Sequence, residues 1–157
     1  MSSLRGSNYT VFATVVVLAF LHFALRPVID PWFARPNLLV CAVLVAALKL
    51  RPGAAAGVGF ALGLLEDAMA VTNFGMSALL LVLMGYLGSR TREQFVGEEP
   101  LFMGTYMFIG TWLYQAAVYL RLGAGGDALS YLLVQSPLDA LATSAVGYVA
   151  LLLVRGR

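Results

Sequence analysis

The sequence predicts an all-α membrane protein, a bundle of about six transmembrane helices. Two observations carry that fold class. Hydrophobic residues make up 61% of the 157 and charged residues only 11%, whereas a soluble domain carries about 25% charge. Such a chain cannot cover a water-facing surface, and the bilayer is the solvent that tolerates it. The mean hydropathy is +0.86, and the apolar residues fall into runs separated by short polar, glycine or proline breaks. A spanning helix takes roughly 20 residues. Six of them leave short loops within a single integral membrane domain, 1–157, with no room for a separate soluble catalytic unit.

The first span covers 9–25 and ends at Arg26-Pro27. Arg5 precedes it, and no small-x-small cleavage site is followed by a polar stretch, so it reads as a membrane helix rather than a cleaved signal peptide. RPVIDPWFARP follows, where Pro27, Pro31 and Pro36 break the helix and Trp32 and Phe33 suit the headgroup belt. The second span, 37–50, is short: about 14 residues reach only ~21 Å, with Lys49 placed to snorkel. The third, 53–70, carries Glu66 and Asp67. The fourth, 76–88, is followed by a polar loop, SRTREQFVGEEP. The fifth, 101–122, is rich in Phe, Tyr and Trp. A glycine-rich loop leads to the sixth, 129–154, which contains Pro137 and Asp139. Pro137 frees a carbonyl one turn earlier and loosens its helix there.

Lysine and arginine set the orientation. With six spans, one side holds Arg5, Lys49, Arg51, Arg90, Arg92, Arg155 and Arg157, and the other holds Arg26, Arg35 and Arg121. The richer side is cytoplasmic, so both termini are expected there.

Several chemistries lack their residues. No basic cluster interleaved with aromatics points to nucleic acid. Cys41, the single cysteine, has no disulfide partner in the chain and lies in an apolar run, where it reads as a small lipid- or core-facing residue. The single histidine, His22, excludes a multi-histidine metal site and reads as an amphipathic residue at the outer interface. No phosphate-cradling loop is present, and no motif accompanies Asp67 and Asp139 of the kind a protease dyad needs. No catalytic residue, cofactor or metal is expected.

The third span holds the most informative pattern. Ala56, Gly59, Gly63, Glu66 and Ala70 recur at helical spacing, and Gly59-x-x-x-Gly63 permits close approach of another helix. A carboxylate inside the bilayer costs about 2.5–3.5 kcal/mol on insertion scales. Glu66 and Asp67 therefore either meet a cation, backbone amides or a ligand, or lie in water at the extracytoplasmic end of the span. Asp139 poses the same choice between a buried partner and the span edge. The aromatics of the fifth span read first as lipid-facing or core residues, and otherwise as a partner-binding face.

The order of these motifs resembles the MreD family. RPNLL (Arg35 to Leu39) precedes G-x-x-x-G-L-L-x-D (Gly59 to Asp67), then seven residues and Gly75, then a helix ending GYLGSR (Gly85 to Arg90). The similarity covers roughly Pro27 to Arg90; the last two spans match only in hydropathy and length. The resemblance implies a non-enzymatic scaffold of the bacterial cell-elongation machinery, in the inner membrane. Its implied partner is MreC, with MreB filaments, the RodA glycosyltransferase and its penicillin-binding transpeptidase in the same assembly. It also implies a fold similar to the substrate-binding subunits of energy-coupling-factor vitamin transporters. Carried over by position, the family pattern falls on Arg35, Pro36, Asn37, Gly63, Asp67 and Gly75, while Glu66 stands where an apolar residue is expected. Arg35 and Asp67 fall on the same side of the predicted bundle and are candidates to pair. The alternative reading, a vitamin-type solute-binding subunit, requires a cavity with several converging polar groups. The candidates for that are Glu66, Asp67, Asn73, Gln115, Gln135 and Asp139.

Overall fold

In a computed structural model, residues 3–29, 36–69, 75–94, 100–121 and 131–155 are described, and all the secondary structure among them is helical. The helices are α1 (Ser3–Ile29), α2 (Leu38–Lys49), α3 (Pro52–Met69), α4 (Met76–Gln94), α5 (Pro100–Arg121) and α6 (Ser136–Arg155).

The organising element is α2. Every residue from Leu38 to Leu48 is buried, because its sequence, LLVCAVLVAALK, has no polar face to turn outward; a helix apolar all round belongs inside. All five other helices touch it. They surround it in the order α1, α6, α5, α4, α3, with the α3–α4 and α5–α6 pairs in extensive contact and α1 and α3 scarcely meeting. Cys41 is fully buried in this core.

Local chemistry explains the helix ends. Asn37 caps α2, its side-chain Oδ1 accepting from the Val40 N–H at 3.1 Å. At the other end the Leu50 N–H donates to the Ala46 carbonyl. Pro52 then opens α3 at the first helical position, where its missing N–H has no consequence.

Three boundaries differ from the sequence expectation. Helix α1 continues past Pro27 to Ile29, since a proline in the last turn forfeits a single hydrogen bond. Helix α4 extends six residues beyond Gly88 to Gln94, into what reads as a polar loop. Arg, Glu and Gln there are good helix formers, and the Ser89 hydroxyl fixes the turn by donating to the Leu50 carbonyl at 2.7 Å. Ahead of α6, Tyr131–Gln135 forms a π-helical turn, the loosening expected of Pro137.

Helices α3 and α4 pack backbone against backbone. A Cβ added to Gly59 would run into the Leu81 carbonyl, and one on Gly63 would strike the Ala78 backbone. Gly85 of α4 is equally tight against the Ala55 carbonyl. The small residues of both helices therefore interlock, as the Gly59-x-x-x-Gly63 spacing predicts.

Among the described residues no helix is long and apolar enough to cross a membrane. Helix α2 is strongly apolar but has only 12 residues, and α3 dilutes its 18 residues with four glycines and two acids. The bundle is nevertheless apolar over much of its exterior as well as in its core, unlike a water-soluble fold. Phe12, Phe20, Phe60, Leu83, Leu113 and Leu141 are each about half or more exposed, whereas Asp67, Ser89, Thr111, Ser136, Asp139 and Thr143 are buried.

Substituting Gly59 or Gly63 by leucine should lower stability by about 1–3 kcal/mol or prevent folding, read as thermal unfolding of the detergent-purified chain. Gly57→Ala, which meets nothing within 4 Å, should leave stability unchanged or raised by about 0.5–1 kcal/mol. Equal effects at Gly57 and Gly59 would contradict the backbone contact.

Candidate functional site

Several buried polar side chains gather at one end of the bundle, where α1, α3 and α5 finish and α2, α4 and α6 begin. The C-terminal turn of α3 is the hub. Asp67, 1% exposed, accepts from the Gly75 N–H at 2.9 Å and the Ala78 N–H at 3.0 Å through Oδ2, and from the Ser77 N–H at 3.1 Å through Oδ1. The first N–H groups of any helix lack an intrahelical partner. The residue at the N-cap position of α4 is Gly75, whose carbonyl accepts from the Leu79 N–H but which has no side chain to cap with. Asp67 supplies the cap from the preceding helix, and its negative charge faces the positive end of the α4 dipole. Gly75 has φ +95°, a conformation that glycine adopts without strain.

Two further contacts radiate from this turn. The Ser77 hydroxyl hydrogen-bonds Asp67 and also meets Tyr114 of α5. His22 Nε2 of α1 lies 3.3 Å from Glu66 Oε2. Adjacent acids on α3 thus face different neighbours, Glu66 toward α1 and Asp67 toward α4.

A second junction joins α2 to α6. The Asn37 N–H donates to Thr143 Oγ1 at 2.9 Å, and the Thr143 hydroxyl donates to the Asp139 carbonyl at 2.7 Å. The Asp139 side chain is buried beside Gln135, whose Nε2 is 3.5 Å from Oδ1, at the limit of a hydrogen bond. Thr111, Gln115 and Ser136 are buried on the facing helices α5 and α6. The aromatics of α5 close the same end: Trp112 Nε1 donates to the Leu132 carbonyl, and the Tyr119 and Tyr131 rings stack with centroids 4.5 Å apart.

The structure therefore brings Pro36, Asn37, Asp67, Gly75 and Asp139 to one end, with Gly63 a turn below Asp67 and Gly59 a turn further. Arg35 and Asn73 lie outside the described residues, as do Trp32 and Phe33. Asp67 meets the amides of α4, and its expected pairing with Arg35 lies outside the described residues. The His22–Glu66 contact is absent from the sequence reading. Its only signal was that the single histidine and the one unexpected acid both fall near the outer ends of their spans. Among the described residues no cluster of three or more His, Cys, Asp or Glu side chains is placed to hold a metal.

The family model described as rod shape-determining protein MreD matches residues 5–154. The chain belongs to the MreD family. The match takes in α5 and α6, which the motif resemblance left to hydropathy alone. No curated protein and no solved structure matches the chain. MreD membership gives the chain a role in rod shape determination, and the residues that carried the resemblance have identifiable structural tasks. Asn37 caps α2, Gly59 and Gly63 seat α4, and Asp67 and Gly75 start α4.

Asp67→Ala leaves three backbone N–H groups at a buried helix start without their acceptor, and each unsatisfied group costs about 1–3 kcal/mol. The expected outcome is a large drop in melting temperature, with faster hydrogen exchange at Gly75, Ser77 and Ala78. Asp67→Asn keeps one acceptor oxygen and should fall between the variant and the parent. Unchanged exchange at those amides in Asp67→Ala would rule out the cap.

Proposed function

We propose that this MreD-family chain is a multi-pass inner-membrane scaffold of the cell-elongation machinery, without enzymatic activity, that binds MreC and helps direct lateral peptidoglycan synthesis. The observation that carries the reading is the apolar exterior of the bundle. Large apolar side chains cover the outward faces of α1, α3, α4, α5 and α6, and the few buried polar groups, Asp67 and Thr143 among them, lie in an otherwise apolar interior. Water disfavours such a surface, and hydrocarbon accepts it.

Several of the buried polar groups have structural occupations. Asp67 caps a helix, Thr143 and Asn37 join two helices, and Ser89 holds a turn. Polar residues used as internal joints leave the apolar outer faces to meet partners, which suits a scaffold. A solute-binding subunit of the vitamin-uptake type needs polar groups converging in a cavity. The cavity of about 900 Å³ along α1 and α3 is lined by apolar residues, which weighs against that alternative. Both termini are placed in the cytoplasm by the distribution of arginine and lysine, and MreB, RodA and its penicillin-binding transpeptidase are the further partners of the same assembly.

Affinity purification of the tagged chain from its native membrane, followed by mass spectrometry, should recover MreC in stoichiometric amount. Recovery of an energising transporter subunit or a bound vitamin instead would overturn the scaffold reading. Fusions of a fluorescent protein, which folds in the cytoplasm, to either end of the chain should both fluoresce. A dark C-terminal fusion with a bright N-terminal one would mean an odd number of crossings.

A further inference from the structure

Three buried oxygen atoms on α5 and α6 have no hydrogen-bond partner among the described residues: Oγ1 of Thr111, Oε1 of Gln115 and Oγ of Ser136. Thr111 and Ser136 are fully buried, and Gln115 is 8% exposed. The two hydroxyls forgo the local bonds open to them. Those of Thr14, Thr91, Thr143 and Ser144 donate to the carbonyl one turn back in their own helices, whereas that of Thr111 does not. Ser136 opens α6, where a serine hydroxyl commonly accepts from an N–H two or three residues on. This one makes no such bond.

The packing of α5 against α6 brings the three to one level. The helices run antiparallel, with contacts at two known points. A Cβ on Gly147 would meet Met107 at 3.1 Å, and further along the Tyr119 and Tyr131 rings stack. Thr111 and Gln115 follow Met107 by one and two turns, on the same face of α5. Counted from the first contact, Gln115 stands opposite Asp139; counted from the second, it stands opposite Gln135. Ser136 lies within those limits. Thr111 is one turn from Gln115, about 6 Å along the axis. The unpartnered oxygens thus share one short stretch of the joint.

We propose that this stretch binds ordered water, one molecule being shared by Thr111, Gln115 and Ser136 and bridging α5 to α6. The site lies inside the bundle, so the assignment does not depend on the scaffold reading. Buried waters make about three hydrogen bonds, to polar groups that otherwise lack them, and three such groups are present. A monovalent cation is the competitor, since Asp139 is buried on the same helix. The balance of donors and acceptors selects water. A cation takes lone pairs only and leaves both hydroxyl protons without acceptors. Water accepts from the two hydroxyls and donates to the amide oxygen. The resulting joint differs in kind from that of α3 and α4, where backbone meets backbone.

Thermal melting of the full detergent-purified chain tests this by its sign. A hydroxyl orphaned in a dry interior destabilises, so an apolar replacement of similar shape leaves the melting temperature unchanged or raises it. A hydroxyl that holds a bridging water stabilises. Thr111→Val and Ser136→Ala should therefore each melt about 2–4 °C lower. The double variant should lose less than the sum, because both changes break the same bridge. Unchanged or raised melting temperatures in the single variants, or losses that add, overturn the proposal. Sodium, potassium and choline chlorides at equal ionic strength should give the parent one melting temperature. A rise specific to sodium or potassium that Thr111→Val abolishes would assign the site to a cation instead. A further measurement needs no variant to fold: in the parent labelled with carbon-13 at threonine methyls, the Thr111 methyl should show a nuclear Overhauser cross-peak to water. A missing cross-peak overturns the shared water.

Discussion

A twelve-residue helix with no polar face sets the terms for the rest of this structure. Helix α2 must be enclosed on every side, and five neighbours are what it takes to enclose it. Its backbone polar groups are satisfied within the helix except at the two ends, which is why both ends carry specific hydrogen bonds. Asn37 closes one with its side chain and reaches α6 with its N–H. At the other, the Leu50 N–H turns back to Ala46 while its carbonyl receives the Ser89 hydroxyl. The caps of the central helix therefore also join it to α4 and α6, so one short segment fixes the position of several long ones.

The outer helices associate by two different means. Helices α3 and α4 use small residues, with glycine and alanine backbones in direct contact along the pair. Where hydrocarbon surrounds the protein, burying apolar surface between helices gains little, and close van der Waals contact takes its place. Among the described residues, helices α1 and α3 meet through the His22–Glu66 contact and leave an apolar groove between them. The first kind of joint is rigid because a backbone has nowhere to move. The second is set by two side chains, which hold a distance without filling the space between the helices.

Much of this was readable from the residues. The all-helical class follows from composition and run length, and Gly59-x-x-x-Gly63 announced a close helix neighbour. The position of Asp67 beside that face offered two readings, a carboxylate turned toward protein or one in water at the end of the span. Its partner was not readable, because the amides it accepts from belong to residues eight to eleven positions on, and that distance is set by the turn geometry at Gly75. The His22–Glu66 contact joins residues 44 apart in sequence and depends on α1 and α3 running side by side. The continuation of α1 past Pro27 shows the limit of breaker rules near helix ends, where few hydrogen bonds remain to lose. The extension of α4 through SRTREQ shows that a polar segment after an apolar run is also a sequence of good helix formers. It becomes a helix when its first turn is anchored, as Ser89 anchors this one.

The uneven placement of polar groups bears on how an MreD-family bundle serves rod shape determination. Asp67, Glu66, His22, Asn37, Asp139 and Thr143 all sit at the end where α2, α4 and α6 begin, while at the opposite end the Ser89 hydroxyl donates to the Leu50 carbonyl. Buried polar groups are a poor source of net stability, since their desolvation offsets most of what their pairing returns. What they do supply is geometry, because a cap or a buried hydrogen bond is satisfied in one arrangement and costly in others. Concentrating them at one end fixes the relative positions of all six helices there, whereas the rest of each outer helix is held by apolar and small-residue packing. A bundle that presents a defined surface at one end has reason to place its directional interactions in that manner.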